Sequence, residues 1–289
     1  MDINNNKKDP IHLIGISGKI GSGKDLIGQI IQYLDFNSRY RSCTFEEYKN
    51  IYCIDYNPKS NGWQIRKFAD KLKDIVCLLI GCRRDQLEDR EFKEKELGEE
   101  WQYYKVKYDD FEFYGEEVFI NLKDAEEFYE NLKTDGYYTN LYKPILIKLT
   151  PRKLLQLLGT EAGRQIIHPN IWCNALFSEY KPIDNRTWQD PDDGNINYPN
   201  WLITDTRFEN EAQAIKDRNG IIIRVNRSCK ECGLLQGHKM SCSHNKVEHE
   251  SETALDNYSF DYVIDNNSSI EDLIVKVKEI LVKENIINE

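Results

Sequence analysis

The sequence predicts an α/β fold in which helices cover both faces of a parallel β-sheet. Two observations carry this prediction. Strand-like and helix-like segments alternate along most of the chain, and a glycine-rich turn joins the first strand, IHLIGI, to the first helix, LIGQIIQYL. Because parallel strands are joined through crossover segments that are usually helical, such a chain folds into a sheet with helices on each side.

The individual elements follow from apolar periodicity and from capping residues. The helix over residues 70–80 is expected to bury Leu72, Ile75, Val76 and Leu79. Thr150 and Pro151 suit the N-cap and the first position of a later helix, and Ser269 begins the last one with Asp272 in a capping box. The predicted strands are residues 12–17, 64–68, 201–205, 220–225 and 261–265, and the other predicted helices are residues 24–34 and 208–217.

The composition excludes several classes of protein. The chain has 289 residues and a formal net charge of −10, which disfavours stable binding to nucleic acid or to an anionic membrane surface. The first residues, MDINNNKKDP, lack the apolar core of a secretory signal, and the longest apolar run, 75–80, is far too short to span a membrane. We therefore expect a soluble, cytoplasmic protein (in the host cytoplasm if a phage encodes it).

Two segments interrupt the alternation. Residues 99–142 are acidic and rich in Tyr and Phe, and the pattern leaves open whether they form a small subdomain or an irregular insertion. Residues 185–200 form a polar loop before a strand. Because no linker separates the two halves, we expect a single domain over residues 1–289 with an insertion at 99–142.

The stretch SGKIGSGKD, residues 17–25, fits the phosphate-binding pattern G-x-x-x-x-G-K at Gly18, Gly23 and Lys24. In such a loop, backbone N–H groups and a helix N-terminus surround the phosphates, and the lysine neutralises them. Asp25 occupies the place of the usual Ser or Thr, and its carboxylate can serve Mg²⁺ directly or through water. Candidate ATP-binding residues here are Gly18, Lys19, Gly21, Ser22, Gly23, Lys24, Asp25 and Leu26.

The loop resembles two families, the T-even-type bacteriophage deoxynucleoside monophosphate kinases and the animal phosphomevalonate kinases. Four further segments, FADKLKD, LEDREFKE, RKLLQLLGTEAGR and ITDTRFENEA, resemble the phage family in the same order, as does DYVIDNNSSIEDL. The resemblance covers most of residues 12–280 and implies a P-loop NTPase three-layer sandwich like that of nucleoside monophosphate kinases. It also implies ATP and Mg²⁺ as co-substrate and cofactor, with a deoxynucleoside monophosphate (dNMP) as acceptor.

Residues for the acceptor follow from the residues themselves and from this resemblance. An arginine and an amide beside glycines on the helix after Pro151 offer a charge and a base-edge contact, although an exposed polar helix face explains the same pattern. Asp205 ends a strand, where ligands of open α/β sheets bind. Trp172 suits base stacking or the core. Candidate substrate-binding residues are Phe68, Ala69, Lys73, Arg90, Arg152, Gln156, Gly159, Thr160, Trp172, Asp205, Thr206, Arg207 and Glu211, and Lys24, Arg90, Arg152 and Arg207 are the candidate catalytic residues.

A cysteine cluster, Cys229, Cys232, Cys242 and His244, has spacing that suits a structural zinc site. It lies in residues 227–248, where related kinases carry a lid over the donor; a lid with free thiols explains it equally well. Arg227 before the cluster and Asn267 after the last strand are further candidate ATP contacts. Glu252 either touches the donor or caps a helix.

These patterns together favour an ATP- and Mg²⁺-dependent dNMP kinase that produces ADP and a deoxynucleoside diphosphate. Two alternatives remain open: a P-loop kinase for another small phosphate or alcohol, and a non-catalytic nucleotide-binding regulator. The sequence does not fix the accepted bases or the oligomeric state, with a homodimer as one option.

Overall fold

Five parallel strands form the sheet of the first of two units into which the chain divides. This unit consists of Met1–Lys71 and Asn170–Glu289, and the second is Leu72–Pro169. The computed structural model describes residues 10–40, 42–55, 62–109, 114–136, 138–183, 197–228 and 250–288. The predicted single domain with an insertion stays a prediction beside this division.

Strands and helices are numbered in chain order within these described residues. The strands are β1 Leu13–Ser17, β2 Gln64–Arg66, β3 Gln102–Asp109, β4 Tyr114–Phe119, β5 Asn140–Leu141, β6 Ile145–Lys148, β7 Trp201–Thr206, β8 Ile221–Asn226 and β9 Tyr262–Asp265. The helices are α1 Lys24–Arg39, α2 Phe45–Asp55, α3 Asp70–Ile80, α4 Arg90–Glu94, α5 Leu122–Asp135, α6 Pro151–Gln156, α7 Ile171–Phe177, α8 Glu209–Lys216, α9 Glu250–Thr253 and α10 Ile270–Lys283. None of the described helices combines the length and the apolar character that a membrane crossing needs.

The sheet of the first unit has the order β2-β7-β1-β8-β9, with every neighbouring pair parallel. Strand β1 is central: Ile14 pairs with Leu202 of β7 on one side and with Ile221 of β8 on the other. All five residues of β1 are buried. The phosphate-loop sequence therefore leaves the sheet at its centre, at the carboxyl ends of its strands.

Helices cover both faces of this sheet. Ile14 and Ile16 of β1 join a buried cluster with residues of α1 and α10. Gly15 points to the opposite face, because side chains alternate along a strand, and a Cβ there would lie 2.7 Å from Ile215 of α8. The predicted three-layer α/β sandwich is confirmed.

The sequence located these elements well but misjudged one helix face. All five predicted strands form within two residues of their predicted ends, and Ser269 caps α10 by accepting from the backbone N–H of Asp272 at 3.2 Å. On α3, Leu72 and Val76 are buried as predicted, whereas Ile75 and Leu79 are 42% and 48% exposed. The prediction for α3 is therefore right for two of its four apolar side chains and wrong for the other two, because only a narrow stripe of that helix is buried.

The second unit contains an antiparallel sheet with the order β4-β3-β5, and β6 pairs with the other end of β3. Helix α5 packs on one face of this sheet, where Val106 and Ala125 are fully buried and the rings of Tyr108 and Phe128 meet. Most of these elements lie in residues 99–142, the segment for which the sequence left the structure open.

The helix that begins at Pro151 changes its geometry after Gln156. Thr150 accepts from the backbone N–H of Lys153 at 3.2 Å, which confirms the predicted N-cap. From Leu157 to Ile167 the chain is π-helical, and it ends with the N–H of His168 bonded to the carbonyl five residues earlier. π-Helical turns are rare and often mark functional sites.

Candidate active site

The phosphate loop connects the central strand β1 to α1 through glycines with positive φ. Gly21 and Gly23 have φ angles of 76° and 100°, which L-residues with a side chain rarely adopt. A Cβ on Gly23 would clash with the amide nitrogen of Asn266. No side chain in the described part of the chain caps α1, so the N–H groups of its first turn remain available for an anion.

Lys24, the first residue of α1, turns its amine back into this loop. Its Nζ donates to the carbonyl oxygens of Gly18 and Lys19 at 2.7 and 2.9 Å. Burial, together with the nearby Arg207 charge, lowers the pKa of Lys24 to about 8, although the negative charges of Glu252, Asp25 and Asp205 oppose the shift. A poorly solvated ammonium group beside the uncapped start of a helix is suited to binding phosphate.

Asp25, the next residue, lies beside the cation of Lys67, which follows β2, and the hydroxyl of Thr204 in β7. Its Oδ1 accepts from Lys67 Nζ and from Thr204 Oγ1, both at 2.9 Å. Burial alone would raise the pKa of Asp25, but the hydrogen bonds from Lys67 and Thr204 and the charges of Lys67 and Lys24 hold it below its ordinary value. Asp25 is therefore ionised at neutral pH.

The carboxylate of Asp25 fits the requirements of Mg²⁺. Its side chain is 67% exposed, and within the described residues its Oδ2 makes no hydrogen bond. Mg²⁺ in kinases takes one or two carboxylates, substrate phosphates and several waters. The described residues contain no group of three or more His, Cys, Asp and Glu that could hold a metal without those other ligands.

A salt bridge links the phosphate loop to the end of β7. Glu252 accepts from the backbone N–H of Ile20 at 2.8 Å through Oε2 and pairs with the guanidinium of Arg207 through Oε1. Both Arg207 and Glu252 act on the pKa of Lys24, in opposite directions. Lys24, Arg207 and Glu252 thus form one electrostatic group at the edge of the sheet.

Asp205 holds the turn between β2 and α3. Its two carboxylate oxygens accept from the backbone N–H groups of Phe68 at 2.8 Å and Ala69 at 3.0 Å. Burial raises the pKa of Asp205, although these two hydrogen bonds and the Arg207 charge oppose the rise. Three predicted substrate-binding residues, Phe68, Ala69 and Asp205, therefore contact one another. In the structure this contact fixes the backbone of the turn.

Glu211 caps α8. It is only 2% exposed, and its Oε2 accepts from the backbone N–H groups of Arg207 at 2.7 Å and Phe208 at 3.1 Å. These donors lie before the first turn of α8, where backbone N–H groups lack helical partners. Glu211 therefore fixes the backbone that carries Arg207, and its predicted contact with substrate stays a prediction.

This capping role predicts a loss of stability. We expect Glu211→Ala to lower the free energy of unfolding by about 1–3 kcal/mol, because it leaves two backbone donors without an acceptor. Denaturant unfolding measures the change. Glu209→Ala, in the exposed first turn of the same helix, is the matched control and should change stability by less than about 0.5 kcal/mol. A Glu211→Ala variant as stable as the control would contradict the capping role.

The remaining predicted ATP contacts surround the loop. Lys19 pairs with Asp256 at 3.0 Å, and Arg227 donates to the carbonyl oxygen of Gly21 at 3.3 Å. Asn267 accepts from the backbone N–H of Ser228 at 2.7 Å. Asn266, its neighbour, donates to the carbonyl oxygen of Ser22 at 2.8 Å and so ties the end of β9 to the loop.

Several predicted site residues are buried. Trp172 is 5% exposed, Thr206 is fully buried, and the side chain of Ser22 is enclosed under the loop with its hydroxyl unpartnered in the described structure. Leu26 packs against the main core cluster. The buried position of Trp172 agrees with the core alternative, and the roles of all four residues in ligand binding stay predictions.

In the second unit, three cations lie within electrostatic reach of one another. Burial lowers the pKa of Lys93 on α4, and the charges of Arg152 and Lys73 lower it further. Lys73 pairs with Glu88 at 2.6 Å, and Arg152 pairs with Glu94, which follows Lys93. These three positive charges repel one another, and a bound anion would reduce the repulsion. Arg90 is exposed at the start of α4.

The predicted substrate-binding residues Arg152, Gln156, Gly159 and Thr160 do not lie on one continuous α-helix, because the backbone changes to a π-helix after Gln156. Gln156 ends α6, whereas Gly159 and Thr160 belong to the π-helical segment, so the α-helical spacing that grouped them does not continue. Gly159 is buried, and a Cβ there would lie 2.9 Å from Leu72 of α3. This glycine lets two helices approach closely.

The predicted zinc ligands lie outside the described residues, as does most of the predicted lid. Zinc therefore stays a prediction that rests on cysteine spacing alone.

Sequence reasoning missed three residues that share these clusters: Lys67, Thr204 and Lys93. Lys67 lies near the carboxyl end of the predicted strand 64–68 and could have been found from that position, since ligands bind at the carboxyl ends of parallel strands. Lys93 comes three residues after Arg90, one helical turn away. Thr204 gave no signal, because a threonine inside a strand is ordinary.

Comparisons with known proteins agree with this picture. The family model for deoxynucleotide monophosphate kinases matches residues 116–277. A deoxynucleoside-5'-monophosphate kinase of Escherichia phage T5 is 27% identical over 224 residues, covering 72% of this chain and 72% of the phage protein. The family match includes Arg152, Arg207 and Glu252 but begins after the phosphate loop, which is identified by its own sequence and geometry.

Proposed function

Because the chain belongs to the deoxynucleotide monophosphate kinase family, we propose that it transfers the γ-phosphate of ATP to a dNMP. The products are ADP and a deoxynucleoside diphosphate. The observation that carries this proposal is the uncapped start of α1 with Lys24 folded into the loop, beside the Arg207–Glu252 pair.

The donor phosphates bind to the loop after β1. The free N–H groups of the first turn of α1 and the amine of Lys24 supply hydrogen bonds and positive charge to the β- and γ-phosphates. Arg227 extends the positive charge to the Gly21 side of the loop. Binding replaces the carbonyl partners of Lys24 with phosphate oxygens, which favours its charged form.

Asp25 would hold the magnesium ion, directly or through a water. When bound, Mg²⁺ neutralises charge on the outer phosphates of ATP. Lys67 and Thr204 keep the carboxylate ionised and fix its orientation by binding Oδ1.

The acceptor phosphate binds to arginine and lysine side chains. In the second unit we assign Lys73, Lys93 and Arg152 to this role, with Arg90 at the start of α4, while the contact of Arg207 with substrate stays a prediction. Lys93 is new to this set, and its repulsion by Lys73 and Arg152 supports the assignment. Gln156 and Thr160 are the polar candidates for contact with the nucleoside.

Phosphoryl transfer requires that the two substrates are aligned and that the negative charge of their phosphates is neutralised. An oxygen of the dNMP phosphate forms a bond to the γ-phosphorus while the bond from the γ-phosphorus to the β-phosphate oxygen breaks, and ADP leaves with the electron pair. A monophosphate oxygen is already ionised at neutral pH, so no general base is required. Lys24 and Arg207 stabilise the negative charge that spreads over the transferred group.

The lowered pKa of Lys24 predicts a pH dependence. We expect kcat/KM for ATP, which reports the enzyme before ATP binds, to fall as pH rises through about 8, because Lys24 then loses the charge that attracts phosphate. The measurement is initial rate against pH at saturating dNMP with Mg²⁺ held constant. A kcat/KM that stays flat to pH 9.5 would show that binding does not depend on a charged Lys24.

An acceptor panel tests the proposal. We expect ADP and a diphosphate to form with at least one dNMP, more slowly with the matching ribonucleotides, and not with alcohols or without an acceptor. Turnover of another small phosphate or alcohol, with none for any natural or modified dNMP, would support the broader P-loop kinase alternative. No turnover of any acceptor, together with tight ATP binding, would support a regulatory nucleotide-binding protein.

A further inference from the structure

Two thiols lie next to each other at the C-terminal end of α3. The Sγ atoms of Cys77 and Cys82 are 3.8 Å apart, and both side chains are half-buried. A disulfide joins its sulfur atoms at about 2.05 Å. The two sulfur atoms therefore need to approach each other by only about 2 Å to form a bond.

The backbone explains why these residues meet. Residues five apart on a continuous α-helix do not share a face. Here Gly81, with φ of 65°, ends the helix, and the N–H of Cys82 donates to the carbonyl oxygen of Cys77 at 3.1 Å. This six-to-one hydrogen bond is typical of a Schellman motif, which brings together the two side chains that flank it. The turn itself thus places one thiol against the other.

We propose that Cys77 and Cys82 form a redox-modification site, which a peroxide converts to an internal disulfide and a small thiol converts back. The alternative is that the two side chains only supply the apolar contact that usually accompanies this kind of helix end. The distance between the sulfurs and their partial exposure favour chemistry, because a peroxide is small enough to reach a half-buried thiol.

The reaction balances in two steps. The thiolate of Cys77 attacks one oxygen of hydrogen peroxide, the O–O bond breaks, and water leaves after protonation, which gives a sulfenic acid at Cys77. The sulfur of Cys82 then bonds to Cys77 Sγ and displaces the hydroxyl as a second water. In sum, two thiols and one peroxide give one disulfide and two waters, with two electrons passing from sulfur to oxygen.

The surroundings favour this order of steps. Burial, together with the hydrogen bond and charge of Cys77, raises the pKa of Cys82 to about 11. Cys82 is therefore a neutral thiol at neutral pH and a weak primary nucleophile, since the thiolate is the reactive species. Its place against Cys77 suits it to resolve a sulfenic acid.

A disulfide between Cys77 and Cys82 would affect the residues that the proposed function assigns to the acceptor phosphate. The turn after Cys82 carries Arg84 and Glu88, and Glu88 pairs with Lys73 at 2.6 Å while Arg84 pairs with Asp74 at 3.5 Å. Drawing Cys82 toward α3 shifts the start of this turn. This part of the inference rests on the proposed function, and it predicts a change in KM for dNMP while KM for ATP stays constant.

Peptide mapping tests the modification without reference to activity. The reduced full-length protein is treated with hydrogen peroxide, alkylated, digested and analysed by mass spectrometry with and without later reduction. We expect a Cys77–Cys82 linkage that is lighter by two hydrogen atoms and that a thiol reductant reverses. Cys82→Ser should instead leave a sulfenic acid at Cys77, which a dimedone probe captures, and Cys77→Ser should leave Cys82 unmodified.

Cys43→Ser is the matched control, since Cys43 is also half-buried but bonds to Asn37 at 3.3 Å and should not alter the linkage. Oxidation of the wild-type protein that leaves Cys77 and Cys82 unlinked would overturn the proposal. A linkage with unchanged KM for dNMP would uphold the modification and overturn its effect on the acceptor side. A reduced enzyme that phosphorylates no dNMP would overturn the proposed function and leave the mapping result valid.

Discussion

Lys24→Ala is expected to lower kcat for phosphoryl transfer by about 10²- to 10³-fold. The amine of Lys24 lies inside the loop, 2.7 Å from the carbonyl oxygen of Gly18, at the start of a helix that no described side chain caps. Its removal leaves the helix N-terminus to stabilise the outer phosphates without a positive charge. Steady-state kinetics at saturating ATP and dNMP measure the loss.

The control for Lys24→Ala is the removal of a lysine elsewhere on the surface. Lys49 pairs with Glu46 on α2 and contacts none of the residues assigned to the nucleotides, so Lys49→Ala should retain the wild-type rate. Circular dichroism confirms that both variants fold. If Lys24→Ala keeps more than about a tenth of wild-type kcat, the loop does not act through this lysine and the assignment of the donor site is wrong.

Arg207→Ala is expected to have the second large effect and to lower kcat/KM by about 10²-fold or more. Arg207 belongs to the same electrostatic group as Lys24, and its loss removes the positive charge that pairs with Glu252 beside the loop. Because the Arg207 charge lowers the pKa of Lys24, the variant should also move the alkaline limb of the pH profile upward. The measurement is kcat/KM against pH for both proteins.

Two further variants separate the roles of Arg207. Arg207→Lys keeps a positive charge and should recover part of the rate, because lysine offers a point charge but not the planar pair of donors. Glu252→Gln removes a negative charge that raises the pKa of Lys24, so its alkaline limb should move downward. A limb that stays in place in Arg207→Ala would contradict the electrostatic link between Arg207 and Lys24.

The sheet could be predicted from the sequence because its three central strands, β7, β1 and β8, are buried on both faces. The segments around Ile203 and Ile222 are continuous apolar runs, and burial of their side chains follows directly from the pattern. The loop could be predicted because its glycines and Lys24 have a fixed spacing along the chain. In both cases the residues that predict the structure are neighbours in the sequence.

Features that depend on tertiary contacts could not be predicted. Lys67, just after β2, and Thr204 in β7 are both distant in sequence from Asp25, and no local pattern predicts these contacts. The apolar periodicity of α3 does not reveal that Ile75 remains exposed. The change to π-helix after Gln156 leaves no signal, because glycine and leucine in a short segment suit both geometries.

The position of a labelled phosphate tests the central claim most directly. The protein is incubated with Mg²⁺, a dNMP that it accepts and ATP labelled at the γ-phosphate, and the products are separated and identified. We predict that the label appears in the β-phosphate of a deoxynucleoside diphosphate in a one-to-one ratio with ADP. Label that is released only as inorganic phosphate, with the dNMP unchanged, would contradict the assignment of this chain as a dNMP kinase.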